Sequence, residues 1–268
     1  MDVICIGNLS VDYIFLLDRF PDRHEKMVAK EFHRSLGGAA GNVATMLAFL
    51  GLKVGFVGAV GDDLDGREHL EFFRKIGVDT SRIKIAKERT GIAVIFSAGE
   101  DKRMIKYPGA NSYREIDYEY LRKAKHVHIS AEHPEVVEFC RSEGISVSVD
   151  GRNYDADIVF MNEDEWIRNG KPKNAVVMLN GGGGMYGDVV LRYGERDVLD
   201  TTGAGDSFIS GFLYGYLKGE DIEKCLKYGI AMASYNVKRI GARHPLSREE
   251  LEKLADDINP QALPSGIS

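Results

Sequence analysis

Short runs of β-branched and other apolar residues alternate along the chain with longer segments whose apolar positions recur at helical spacing. Val3–Gly7, Val54–Val60, His126–Ile129, Ile145–Asp150, Ile158–Met161 and Ala175–Leu179 read as strands. Strand and helix alternating in this way predict an α/β fold built on a mostly parallel sheet covered by helices. Pro134 suits the first turn of one helix, and Ser247 with Glu250 forms a capping box for another over Leu246 to Asp256. Two regions break the alternation. The spans 12–35 and 89–107 read as strands with no helix between them, the second turning at Gly99-Glu100-Asp101. They predict a small sheet projecting from the core, which over a cleft would be a lid; an edge extension of the main sheet fits the same pattern.

Composition narrows the class. At 268 residues, 44% hydrophobic and 28% charged, the chain reads as one compact soluble domain spanning 1–268. Its net charge of −6 argues against nucleic acid as the main partner, because a phosphate-tracking surface needs excess Lys and Arg. No apolar stretch is long enough to span a membrane, so no membrane partner is expected. Cys5, Cys140 and Cys225 are odd in number, far apart and set in apolar segments. They predict buried thiols and, with no signal peptide at the N-terminus, a cytoplasmic location.

The segment with the most chemistry is Asp200-Thr201-Thr202-Gly203-Ala204-Gly205-Asp206, followed by Ile209, Phe212, Leu213 and Tyr216 at helical spacing. Gly203, Ala204 and Gly205 leave backbone N–H groups uncovered at the positive end of a helix, which suits an anion such as phosphate. The same residues would also serve as a plain helix cap with Asp206 as an N-terminal charge. An acid at that position is expected to stay ionised near neutral pH. No G-x-G-x-x-G follows the first strand, and no G-x-x-x-x-G-K-S/T occurs, so neither a Rossmann dehydrogenase nor a P-loop is indicated. His126, His128 and His133 lack Cys partners or an H-E-x-x-H pattern and read as strand histidines rather than metal ligands.

Asp200 to Phe208 resembles the C-terminal signature of the ribokinase-type, or PfkB, family of carbohydrate and nucleoside kinases, and Gly37-Gly38-Ala39-Ala40-Gly41-Asn42-Val43-Ala44 resembles its N-terminal signature. Gly61-Asp62-Asp63 with Gly66, Gly109-Ala110-Asn111, Asn162-Glu163-Asp164-Glu165 and Asn180-Gly181 resemble further landmarks, so the likeness runs from about Val3 to Pro245. The resemblance implies a ribokinase-like three-layer α/β/α core with a β-sheet lid. It implies phosphoryl transfer from a nucleotide, ATP or ADP with Mg²⁺, to a hydroxyl of a small sugar or nucleoside. By similarity, Asp206 is the base, the Gly203–Gly205 backbone stabilises the transferring phosphoryl, and Asp12, Gly37, Gly38 and Asn42 bind the acceptor. Asn162, Asn180, Gly181 and Gly183 would meet the nucleotide, Glu165 the metal indirectly, and Asp200 a monovalent cation such as K⁺. Archaeal nucleoside kinases of the family are similar around Asp12-Tyr13-Ile14-Phe15 and Phe160-Met161-Asn162.

Departures bear on the acceptor. Ala39 stands where ribokinase carries a Lys, the segment from Asn162 to Ala175 is short, and Pro245 replaces a polar residue near the cation position. Lys102, Arg103, Lys106 and Arg152 are candidates to hold a phosphate already on the substrate, with Arg103 taken as the substrate-binding residue; solvated charges fit as well. A sugar phosphate acceptor, a sensor that binds without catalysis, and a homodimer formed through the lid are the remaining expectations.

Overall fold

The computed structural model describes residues 1–99, 101–113, 115–194 and 197–258. In chain order the elements are β1 (Val3–Ile6), β2 (Ser10–Leu16), β3 (Glu31–Gly37), α1 (Ala39–Phe49), β4 (Val54–Gly61), α2 (Leu64–Lys75), β5 (Asp79–Ala86), β6 (Gly91–Ala98), β7 (Asp101–Tyr107), α3 (Tyr118–Leu121), β8 (His126–Ile129), α4 (Pro134–Ser142), β9 (Ser146–Asp150), β10 (Ile158–Asn162), α5 (Glu163–Arg168), β11 (Ala175–Met178), β12 (Gly183–Tyr186), β13 (Val189–Arg192), α6 (Ala204–Lys218), α7 (Ile222–Val237) and α8 (Arg248–Asp256).

Nine strands form the main sheet in the order β13-β12-β11-β10-β9-β8-β1-β4-β5. All neighbours run parallel except β11–β12 and β12–β13. The apolar run of β1 shows why both faces are covered. Val3 and Cys5 join the core beneath α1, α6 and α7, whereas Ile4 and Ile6 join the opposite core beneath α3 and α4. Successive strand residues point to opposite faces, so an unbroken apolar strand must lie between two layers. The result is a three-layer α/β/α arrangement of the ribokinase-like kind. Strand order reverses beside β1, with β4 on one side and β8 on the other. In open α/β sheets the crevice beyond the strand carboxyl ends at such a reversal is where ligands bind.

The two regions without helices build a separate four-stranded sheet, β3-β2-β6-β7. β2 pairs antiparallel with β3 and parallel with β6, and β6 pairs antiparallel with β7. Of the turn read at Gly99-Glu100-Asp101, Glu100 lies outside the described residues. The capping box at Ser247 and Glu250 opens α8, and Pro134 occupies the first turn of α4. All three cysteines are buried free thiols.

Candidate active site

Asp206 sits in the first turn of α6, whose N-cap is Gly203 at a left-handed φ of 74°. A side chain at Gly203 would be strained, and its Cβ would lie 2.3 Å from the Ala242 side chain, so glycine is required there. The helix's first intrahelical bond runs from Ser207 N–H to the Gly203 carbonyl, and Ala204 N–H turns back to Thr201. The N–H groups of Gly205 and Asp206 then have no acceptor within the helix, which leaves them free for an anion.

One oxygen of Asp206 accepts a hydrogen bond of 2.7 Å from Asn42 Nδ2, on α1. Arg243 Nε donates to Asn42 Oδ1 at 2.9 Å, and Arg243 Nη2 donates to the Gly37 carbonyl at 2.7 Å. Guanidinium has no acceptor, so Asn42 must turn its oxygen toward Arg243 and its amide hydrogens toward Asp206. Burial pushes the Asp206 carboxyl up to about 6; nearby Asp12 adds to this, while the Asn42 bond, Arg243 and Lys106 oppose it. The carboxyl therefore still ionises near neutral pH, as expected of an acid at a helix start, but from a raised value. Desolvation of the half-buried carboxyl outweighs the helix end, and the acid is left nearer the pKa useful to a base at neutral pH.

Asp12 lies on β2, is buried, and accepts a 2.9 Å hydrogen bond from the Ser10 hydroxyl. Burial raises its pKa, with Arg243, Lys106 and Lys102 partly offsetting the shift. A Cβ at Gly37 would fall 2.2 Å from this carboxylate, so the close approach of β3 to Asp12 demands glycine. Gly38 is the N-cap of α1. On the second sheet, Ser35, Asp12, Ala93 and Lys106 form one cross-strand row and His33, Ile14, Ile95 and Met104 the next. This face carries Lys102 as well. Arg103, taken from sequence as substrate-binding, points to the other face, where its guanidinium lies 3.9 Å from the Phe20 ring centre. Strand alternation separates it from Lys102 and Lys106.

Asp150 ends β9, and burial, with Asp206 and Glu165 adding repulsion, pushes it up to about 7. Asn162 caps α5 in a reciprocal box: its Oδ1 accepts from Glu165 N–H at 2.8 Å, and Glu165 Oε2 accepts from Asn162 N–H at 3.0 Å. Asn162 also lines a pocket of about 390 Å³, together with Asn180, Gly181, Tyr193, Ala204 and Phe208. Asn180 N–H donates to Glu163 Oε2 at 2.9 Å. Gly183, expected in the loop, lines the pocket from the first position of β12 instead, because the chain has already turned between Leu179 and Gly183.

Asp200 takes three donors. Its Oδ1 accepts from Thr202 N–H at 2.9 Å and from the Thr202 hydroxyl at 2.7 Å, and its Oδ2 accepts from Gly241 N–H at 2.9 Å. Lys102 Nζ stands 3.8 Å from Asp200 Oδ1, so this carboxylate already faces a cation supplied by the chain. Two further landmarks are structural. Asp63 caps α2 and binds Thr90, and Asn111 clamps both backbone groups of Leu9. The Tyr228 to Ala233 stretch of α7 packs on α6, where a Cβ at Gly211 would strike the Tyr228 carbonyl.

Arg243 and Asp150 were not selected as site residues from sequence. Asp150 had a signal, as an acid at the end of a parallel strand. Arg243 had none, since it lies 201 residues from its Asn42 partner.

A family profile described as "pfkB family carbohydrate kinase" matches residues 1–142 and 187–249. The chain is 31% identical to the nucleoside kinase of Methanothermobacter thermautotrophicus, over 90% of this chain and 91% of that protein. It is 28% identical to an ATP-dependent ribose-1-phosphate kinase of Halopiger xanaduensis, over 90% and 93%. Its fold superposes on Arabidopsis thaliana ribokinase, solved with ribose and ATP, with a TM-score of 0.81 at 25% identity, covering 95% of this chain and 98% of that one. The Methanocaldococcus jannaschii nucleoside kinase structure gives a TM-score of 0.79 at 23% identity, covering 96% and 98%.

Proposed function

The chain belongs to the pfkB family of carbohydrate kinases, and we propose that it moves the γ-phosphoryl group of ATP onto a hydroxyl of a nucleoside, with Asp206 as the general base. The observation that carries this reading is the Asp206 carboxylate, half-buried at the positive end of α6 and aimed by Asn42 at 2.7 Å. Likeness to nucleoside kinases supports the acceptor, and likeness to the ATP-dependent kinase supports the donor.

In this reading the nucleotide base enters the pocket beside Asn180 and Gly181, and its phosphates run toward Gly203–Gly205. Asp12 accepts hydrogen bonds from acceptor hydroxyls not being phosphorylated, since a carboxylate takes two donors at once. Asp206 accepts the proton of the attacking hydroxyl, and the free N–H groups of Gly205 and Asp206 meet the charge on the transferring group. Positioning and charge stabilisation, rather than a strong base, govern such transfers.

Magnesium fits the donor set. Asp150 and Glu165 offer carboxylate oxygens near the phosphate path, and among the described residues no group of three or more His, Cys, Asp or Glu encloses a metal. Mg²⁺ commonly takes one or two carboxylates, with phosphates and water completing its shell. When bound it neutralises charge on the phosphate oxygens; Glu165 and Asp150 would hold it directly or through water.

The second sheet acts as the lid over the acceptor. Its outer face carries Tyr13, Phe15, Phe32 and Phe96 in contact, with Ile105 and Tyr107 exposed beside them. That apolar face suits a second copy of the chain, giving a homodimer. A second acceptor reading, a sugar phosphate, draws on Lys106 in the same row as Asp12. A transfer assay crossing ATP and ADP with nucleosides, free sugars and sugar phosphates tests both readings. Transfer to a nucleoside is the expected result, transfer to sugar phosphates alone would select the second, and ligand binding without nucleotide consumption would mark a sensor.

A further inference from the structure

Lys102 projects from β7 onto the loop that precedes α6. Its Nζ donates to the Thr202 hydroxyl oxygen. That hydroxyl gives its own proton to Asp200 Oδ1, so toward Lys102 it acts only as acceptor. Asp200 takes three donors from the loop and Gly241, and Lys102 faces it as an ion pair at 3.8 Å without donating a hydrogen bond to it. An ammonium has three N–H donors. Thr202 uses one, and Thr202 is the residue next to Gly203, where the anion cradle begins. The side chain is 26% exposed, so the group is partly desolvated but still open to the cleft. Burial lowers its pKa, and Asp200, Asp12 and Asp206 pull it back up.

The charges in the cleft point the same way. Asp12, Asp150 and Asp206 are all acids, and a polyphosphate brought among them needs fixed positive charge close to the transferring group. Arg243 spends its Nε and Nη2 on Asn42 and Gly37, with Nη1 unpaired among the described residues, and Lys106 stands in the Asp12 row on the acceptor side. Lys102 has donors left over and stands at the cradle itself.

Resting on the kinase reading above, we propose that Lys102 is a catalytic residue whose ammonium binds the phosphoryl group in flight at the Gly203–Gly205 cradle, so that transfer requires the second sheet to stand over the α6 loop. In the step, the acceptor oxygen bonds to the γ-phosphorus as the bond from that phosphorus to the β,γ-bridging oxygen breaks. The acceptor proton passes to Asp206, and the departing nucleoside diphosphate keeps the bonding electron pair. Lys102 remains protonated throughout and supplies only charge and hydrogen bonds.

The test compares unaltered protein, Lys102→Gln, Lys102→Ala and Asp206→Asn, with ATP and whichever acceptor the screen finds. Lys102→Gln should lower kcat about 10²-fold, with the acceptor KM changed by no more than about threefold. Lys102→Ala should regain activity when methylammonium is added, a rescue that a merely structural lysine would not show. ADP with aluminium fluoride, a mimic of the group in flight, should bind Lys102→Gln at least about tenfold more weakly while ADP alone binds as before. A kcat near that of the unaltered protein, a loss confined to acceptor KM, or a lowered kcat with no amine rescue and no selective loss of the mimic would each overturn the proposal. Turnover by the unaltered chain that Asp206→Asn abolishes keeps the kinase reading standing even if Lys102 fails. Absence of transfer to any acceptor by the unaltered chain would overturn both.

Discussion

Asp206, Asn42 and Arg243 form one half-buried polar cluster, and His126, His128, Ser146 and Ser148 form another. In the second, His126 bonds Ser146 at 3.0 Å and Ser148 at 2.8 Å, and His128 bonds Ser148 at 2.9 Å and Ser130 at 3.0 Å. Every ring nitrogen is paired, the groups are neutral, and the ladder runs along β8 and β9 to Ser130, just after β8. In the first, charged groups stand half-buried at the start of α6 and in the segment after α7, and Arg243 Nη1 has no hydrogen-bond partner among the described residues. Both clusters contain strongly shifted groups. Burial pushes His126 down to about 4 and His128 down to about 3, just as it pushes Asp206 up to about 6. A shifted pKa therefore does not by itself identify a reactive site. Donors and acceptors left over for a ligand do.

The contrast breaks most sharply at Asp206. Asp206→Asn keeps the shape of the first cluster and should lower kcat by at least about 10³-fold, while a nucleoside still raises the melting temperature. Retained turnover would put the chemistry elsewhere. Arg243→Met touches no ligand but frees Asn42 to rotate, and should lower kcat about 10²-fold through misplacement of the base. An equal loss in Arg243→Lys would show that the forked geometry matters more than the charge.

Titration separates the clusters by sign. Transfer should fall as pH drops through about 6, because a protonated Asp206 cannot accept the acceptor proton. A kcat/KM profile flat to pH 5 would contradict this. For stability, Asp206 has a folded pKa above its unfolded value, so its contribution is full below about 4 and is lost as pH rises through about 6. The histidines run the opposite way. Their folded values are depressed, so their contribution is full above about 6.5 and is lost as pH falls toward about 4 and then about 3. Urea denaturation between pH 7 and 4 should show His128→Gln losing less stability with acid than the unaltered chain, whereas Asp206→Asn keeps the histidine slope. The smallest catalytic effect is expected on the outer face of the second sheet, which touches neither cluster. Ile105→Glu should shift sedimentation from dimer to monomer and change kcat less than about twofold; a monomer before mutation would remove the dimer.

Legibility differed in the same way. The glycine segments at 37–41 and 203–205 were readable because backbone geometry is local. Gly37 must admit the Asp12 carboxylate, and Gly203 must hold a φ of 74°. The main-sheet strands were readable because burial on both faces leaves an apolar run. Arg103 was misplaced for want of strand register; once β6 and β7 pair Ser97 with Lys102, alternation sends Arg103 outward. The Asn180–Gly184 run reads as a loose loop in isolation, yet Gly183 and Gly184 belong to β12, against Leu191 and Phe208.

By itself, then, the sequence determined the alternation of elements, the helix ends and the backbone of the anion cradle, because periodicity, capping and glycine geometry act over a few neighbouring residues. Tertiary structure alone decided that Asp206 is desolvated enough to be lifted to about 6, that Arg243 orients Asn42, and that Lys102 reaches the loop before α6. Those outcomes depend on desolvation and on contacts between residues a hundred or more positions apart, and neither is encoded in any local pattern.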